Sequence, residues 1–283
     1  MMNTPLTARS ALRQHWREYL IEAWALGTFM LSAGFVTTAL ESSGSFLHTA
    51  IPDPTVRRAL CGLAMGLTAM TLIYSPWGGR SGAHMNPAVT LAFLSLGKIS
   101  RWDAAFYSIA QTLGAITGVL VVFAVCGSAF AAAPVAYVVT VPGPAGALPA
   151  FLAELLISFI MMTTVLTVSS SRRWSAWTGV CAGVLVTSYV TIEAPLSGFG
   201  MNPARTLGSA IPSHNFDSLW IYLTAPTAGM WSAARIFSIY ERHRHAICAR
   251  TQPHSAMRTC VHCGYTPITE LGDQDSVTAS RRK

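Results

Sequence analysis

Two segments of this chain are near-copies of one another. Gly82-Ala83-His84-Met85-Asn86-Pro87-Ala88-Val89-Thr90 is echoed by Gly198-Phe199-Gly200-Met201-Asn202-Pro203-Ala204-Arg205-Thr206. In each, a glycine-bearing loop leads into Asn-Pro-Ala and then into an apolar run too short to cross a bilayer. Asn caps helices and Pro is preformed for the first helical turn, so Asn86-Pro87 and Asn202-Pro203 each predict a helix start. Two short helices that begin at matching places in two halves of an apolar chain point to discontinuous helices meeting near the middle of a membrane.

Composition agrees with that placement. Of 283 residues, 52% are hydrophobic and 11% charged, where a soluble domain carries about 25% charged residues. Apolar stretches run over residues 19–40, 56–75, 103–126, 149–169, 176–193 and 219–240, each near the ~20 residues a spanning helix needs. Segments 86–96 and 202–211 fall short of that and predict re-entrant half-helices. The expected fold is an all-α membrane protein with six transmembrane helices and two half-helices. Its channel domain covers 19–240, in repeats of about 19–126 and 149–240. Three spans per repeat is an odd number, so the repeats are inverted relative to each other.

The ends are polar. Residues 1–18 carry Arg9, Arg13 and Arg17 without the apolar core of a cleaved signal, and 241–283 form a polar tail whose last part, 265–283, has a disordered composition. The net charge of +7 does not imply nucleic acid, because Lys and Arg fall at the ends and between the apolar stretches. Lys98, Arg101, Arg172, Arg173, Arg242, Arg244 and Arg250 share one side with the N-terminal arginines if there are six spans. The positive-inside rule then puts both termini in the cytoplasm of a cell membrane.

Physical chemistry assigns roles to the repeated segments. Irregular backbone at membrane depth must line water or be buried in protein, since an unpaired polar group in lipid costs several kcal/mol. The carbonyls of Gly82, Ala83 and His84, and of Gly198, Phe199 and Gly200, are therefore candidates for a ladder of acceptors down a pore. Two half-helices meeting at their N-termini each present about half a positive charge. The Asn86 and Asn202 amides add donors there, so a passing water accepts twice, the proton wire is broken and cations are repelled. Arg205 is the one charge in the second segment, and inside a membrane it must be paired or face water. Small residues at helical spacing, Gly114 and Gly118 in one repeat and Ala225, Gly229 and Ala233 in the other, allow close helix crossings.

These residues together resemble the aquaporin, or major intrinsic protein, family. The likeness covers roughly residues 19–240 and rests on the two Asn-Pro-Ala motifs in order, with Arg205, Glu22, Glu154 and Gln111. It implies that Arg205 and Phe199 stand at an outer selectivity filter, completed by Val190 and by either Met65 or Gly66. It implies that Glu22 and Glu154 brace the loops; read alone, intramembrane acids default to proton carriage. It also implies a homotetramer with one pore per protomer. Strict water channels typically place a His where this chain has Val190, and glycerol facilitators usually carry Asp where it has Thr206. Ala210 and Tyr222 look aquaporin-like and Leu223 facilitator-like, so the subfamily markers conflict.

The sequence thus predicts a passive channel for water and small uncharged solutes, without cofactor or catalytic constellation. A glycerol facilitator of low water selectivity is one alternative. Another is an inverted-repeat secondary transporter, which needs midplane ionisable groups beyond the two glutamates; a closed membrane receptor is a third. His84 is either a pH-sensitive gate or a loop-packing residue. Cys61, Cys126 and Cys181 read as packing residues. In the tail, Cys248, His254, Cys260 and Cys263 supply the four ligands a zinc site needs, though a single Cys-x-x-Cys is a weak signal.

Overall fold

A computed structural model describes residues 6–171, 173–240, 248–251 and 261–262. The expectations for Arg172, Arg242, Arg244, His254, Cys260, Cys263 and the segment 265–283 lie outside the described residues. Among those described, every regular element is a helix and there is no strand.

The first repeat consists of α1 (Ala8–Glu41), α2 (Pro54–Tyr74), the half-helix α3 (Pro87–Ser95) and α4 (Arg101–Cys126). The second consists of α5 (Ala147–Ser169), α6 (Thr178–Ser188), the half-helix α7 (Pro203–Ser213) and α8 (Leu219–Tyr240). Caps fix several of the starts. Thr7 accepts from the Ser10 backbone N–H at 3.2 Å, which begins α1 well before the apolar stretch. Asp53 accepts from the Thr55 and Val56 N–H groups ahead of α2, and the Thr55 bond chiefly holds its carboxyl below the usual carboxylate range. Asn86 and Asn202 cap α3 and α7, each with Pro in the first turn.

Among the described residues, α1, α2, α4, α5 and the stretch Ser175–Ser197 around α6 are long and apolar enough to cross a membrane. The sixth expected span, α8, has 22 residues, roughly 33 Å at 1.5 Å per residue. Thr224, Thr227, Ser232, Arg235 and Ser238 dilute its apolar character. After α6 the helix widens into a π turn, Tyr189–Glu193, which inserts a residue into the hydrogen-bond ladder and re-aims Val190.

Glycines set how closely the spans approach. A Cβ added at Gly114 of α4 would lie 2.6 Å from the Ala23 Cα in α1, and one at Gly118 would lie 2.6 Å from the Gly27 carbonyl oxygen. In the other repeat, Gly229 of α8 rests on the Leu155–Phe159 backbone of α5. The two crossings are counterparts across the repeats. Lipid gives helices no hydrophobic reason to associate, so this close backbone packing, with interhelical hydrogen bonds such as Gln111 to Glu22, helps hold them together. Gly114→Val is expected to push α1 and α4 apart and to destabilise the fold by about 3 kcal/mol. Thermal unfolding in detergent measures this, and an unchanged midpoint would remove Gly114 from the crossing.

Candidate functional site: a conduit between two half-helices

The loops ahead of α3 and α7 align position for position from Ser81 to Asn86 and from Ser197 to Asn202, and differ only at Ala83/Phe199 and His84/Gly200. Gly82 (φ 103°) pairs with Gly198 (φ 86°), Ala83 (φ 51°) with Phe199 (φ 53°), and Met85 (φ 50°) with Met201 (φ 46°). Each non-glycine in that left-handed region costs about 1–3 kcal/mol and persists only where its surroundings hold it. Buried glutamates do the holding. Glu22 accepts from the His84 N–H at 3.0 Å, the Met85 N–H at 2.7 Å, the Ser81 hydroxyl at 2.7 Å and the Gln111 amide at 2.9 Å. Glu154 accepts from the Gly200 N–H at 2.5 Å, the Met201 N–H at 2.6 Å and the Ser197 hydroxyl at 2.6 Å. Tyr107 and Tyr222 complete the pattern by donating to the Ser81 and Ser197 carbonyls.

The half-helices meet cap to cap. Asn86 accepts from the Ala88 N–H through its side-chain oxygen and donates from its amide nitrogen to the Met201 carbonyl at 2.8 Å. Asn202 accepts from the Ala204 and Arg205 N–H groups and donates to the Met85 carbonyl at 2.6 Å. Each Asn therefore caps its own helix and ties itself to the other repeat's loop. Two helix N-termini then point at one locus, which makes it electropositive.

Two cavities meet along the conduit. One, about 100 Å³, runs past Ala83, His84, Asn86, Gly200 and Asn202. The other, about 350 Å³, opens at the far face past Met65, Val190 and Gly198. Phe199 and Arg205 border both, so they stand where the two meet. Arg205 is buried and donates from its guanidinium to the Thr140 hydroxyl. Of the two residues the sequence left open, Met65 lines the far cavity. A Cβ on Gly66 would instead sit 2.5 Å from the Gly183 carbonyl oxygen, so Gly66 serves the packing of α2 on α6.

The tail face holds residues that the sequence did not bring to the conduit. The Gly82 carbonyl accepts from both the N–H and the hydroxyl of Thr251, so it is occupied by the chain itself rather than offered to a solute. His84 stacks on Phe93, with Nδ1 3.0 Å from the Thr90 hydroxyl and Nε2 2.6 Å from the Ala249 carbonyl oxygen. Cys248 is buried; the three other candidate tail ligands lie outside the described residues. Pattern reading also missed Ser81, Ser197, Tyr107 and Thr140, and it read Tyr222 only as a subfamily marker rather than as a donor to the second loop. The shared Ser-Gly at the head of both loops was a usable signal for the serines, whereas Thr140 sits in a connection without repeat or charge.

Residues 9–237 match the profile of the family described as Major intrinsic protein. The chain is 33% identical over 222 residues to a probable aquaporin NIP-type of Nicotiana alata, covering 77% of this chain and 76% of that one. It is 34% identical over 221 residues to glycerol uptake facilitator protein-like 6 of Lactiplantibacillus plantarum, covering 77% of this chain and 95% of that one. Its fold superposes on the X-ray structure of the aquaglyceroporin from Plasmodium falciparum with a TM-score of 0.66 at 22% identity, over 80% of this chain and 97% of that one.

Proposed function

The chain belongs to the major intrinsic protein family, and from that premise we propose how its conduit works and what it selects. It is a multi-pass membrane channel for water and small uncharged solutes, and transport is passive. The carrying observation is the reciprocal pair of Asn amides at the junction of two helix N-termini, with a cavity running past them. That arrangement supplies donors and positive potential at one point, which orients water and opposes cations and protons. Glu22 and Glu154 are each consumed in bracing a loop, which argues against a transporter that carries protons on those two residues. No catalytic step is required, and we read the chain as a channel rather than an enzyme.

We assign the filter to Phe199, Val190, Met65 and Arg205. Three apolar walls around one guanidinium let a solute's carbons lie on Phe199, Val190 and Met65 while its hydroxyls accept from Arg205. That chemistry fits a small polyol as well as water, and the relative named a glycerol uptake facilitator supports it. The family resemblance and the arginine-rich ends support a homotetramer in a cell membrane with both termini cytoplasmic. Proteoliposomes challenged by stopped flow are expected to shrink in sucrose faster than protein-free vesicles and to re-swell in glycerol. Val190→His, which narrows the filter and adds a polar edge, is expected to abolish re-swelling while keeping water flux. Glycerol re-swelling that is unchanged in that variant would take Val190 out of the filter.

A further inference from the structure

We propose that the tail segment Cys248–Thr251, with His262 behind it, is an intramolecular plug that docks in the tail-face mouth of the conduit and closes it. The proposal rests on the channel reading above. Thr251 borders the same cavity as Asn86 and His84, so the segment sits in the conduit and not merely on its rim. Ala249 is 0% exposed and Thr251 4% exposed, and Ala249 joins the apolar cluster that includes Ala83, Val89 and Phe93. The contacts are specific. Thr251 donates twice to the Gly82 carbonyl, at 3.1 Å and 2.8 Å, which takes the ladder's acceptor at the tail-face end. The Ala249 carbonyl meets the His84 ring, and His262 lies 3.2 Å from the Tyr107 hydroxyl and 3.1 Å from the Ser81 carbonyl.

The far half of the molecule shows what a permanent part of the wall looks like at this position. There the connection between α4 and α5 lies against Gly198, and a Cβ on Gly198 would sit 2.7 Å from the Val141 carbonyl oxygen. On the tail face a Cβ on Gly82 would sit 2.8 Å from the Ala249 carbonyl oxygen. The inverted repeat thus offers the same docking groove twice. Opposite Gly198 it is filled by a connection anchored at both ends between two spans. Opposite Gly82 it is filled by a segment that follows the last span. Such a segment withdraws without disturbing a span.

The test compares full-length variants in proteoliposomes by stopped-flow shrinkage in sucrose, normalised to reconstituted protein. Thr251→Pro removes both donors to Gly82, and Ala249→Glu puts a charge into an apolar seat. Each lost hydrogen bond shifts the docked-to-free ratio about fivefold, so Thr251→Pro is expected to raise water permeability severalfold, and Ala249→Glu likewise. Thr251→Ser keeps both donors and is expected to match the parent. Permeability equal to the parent in all three overturns the plug and leaves the channel standing. Lower permeability in Thr251→Pro and Ala249→Glu also overturns it, because the segment would then be bracing an open mouth. If the parent and every variant are silent, the conduit reading falls and the plug falls with it.

Discussion

Arg205→Ala is expected to convert a channel that rejects cations into one that leaks protons and to pass larger solutes. The guanidinium stands where the two cavities meet, buried and held by Thr140. A unit charge at about 4 Å acts with on the order of 4 kcal/mol at an effective dielectric of 20. Water in the far cavity screens part of that, yet half of it is still a ~30-fold change in cation passage. Arg205→Lys keeps the charge but loses the planar fork, so it should hold back cations while loosening solute choice. A pH-sensitive dye trapped in proteoliposomes reads the leak, and glycerol against larger polyols reads the size limit. Proton flux in Arg205→Ala indistinguishable from the parent would mean that the half-helix ends suffice and that Arg205 does not guard the filter.

Glu154→Ala is expected to be the most destabilising single change in the second repeat. It strands the Gly200 and Met201 N–H groups and the Ser197 hydroxyl at once. A buried donor left without a partner costs about 1–3 kcal/mol, so three of them cost about 3–9 kcal/mol. The same change frees Phe199 and Met201 to relax out of their left-handed conformations, which displaces the filter even in molecules that fold. Glu154→Gln retains an acceptor oxygen and should recover part of the loss. Yield and thermal midpoint in detergent give the stability, and wild-type-like values for Glu154→Ala would show that the loop is held by something other than Glu154.

The span positions, the inverted repeat and both half-helix starts were legible because each has a local cause. Apolar runs of bilayer length mark spans, and Asn-Pro marks a capped start whatever surrounds it. Glu22 and Glu154 could be picked out as charges in apolar spans, but the family likeness was needed to read them as braces. Met65 and Gly66 could not be separated by pattern. Neighbours in a helix differ by about 100° in facing, and only the packing of α2 on Gly183 decides which one turns toward the conduit. The π turn that aims Val190 leaves no compositional mark. Thr140 and Thr251 were missed for a common reason. Their partners lie 65 and 169 residues away, and nothing in the local sequence points so far along the chain.

The crossed amides also set a timetable for biosynthesis. Asn86 finds its acceptor on Met201, 115 residues later in the chain. At 5–20 residues per second, the ribosome needs roughly 6–23 s to supply that carbonyl. Through that interval the first loop is already threaded by its own glutamate but unfinished at its tip. The join at the centre of the conduit is therefore a mutual one, in which the newly made second loop completes the older first, and a chain cut between the repeats would leave both tips waiting for a partner.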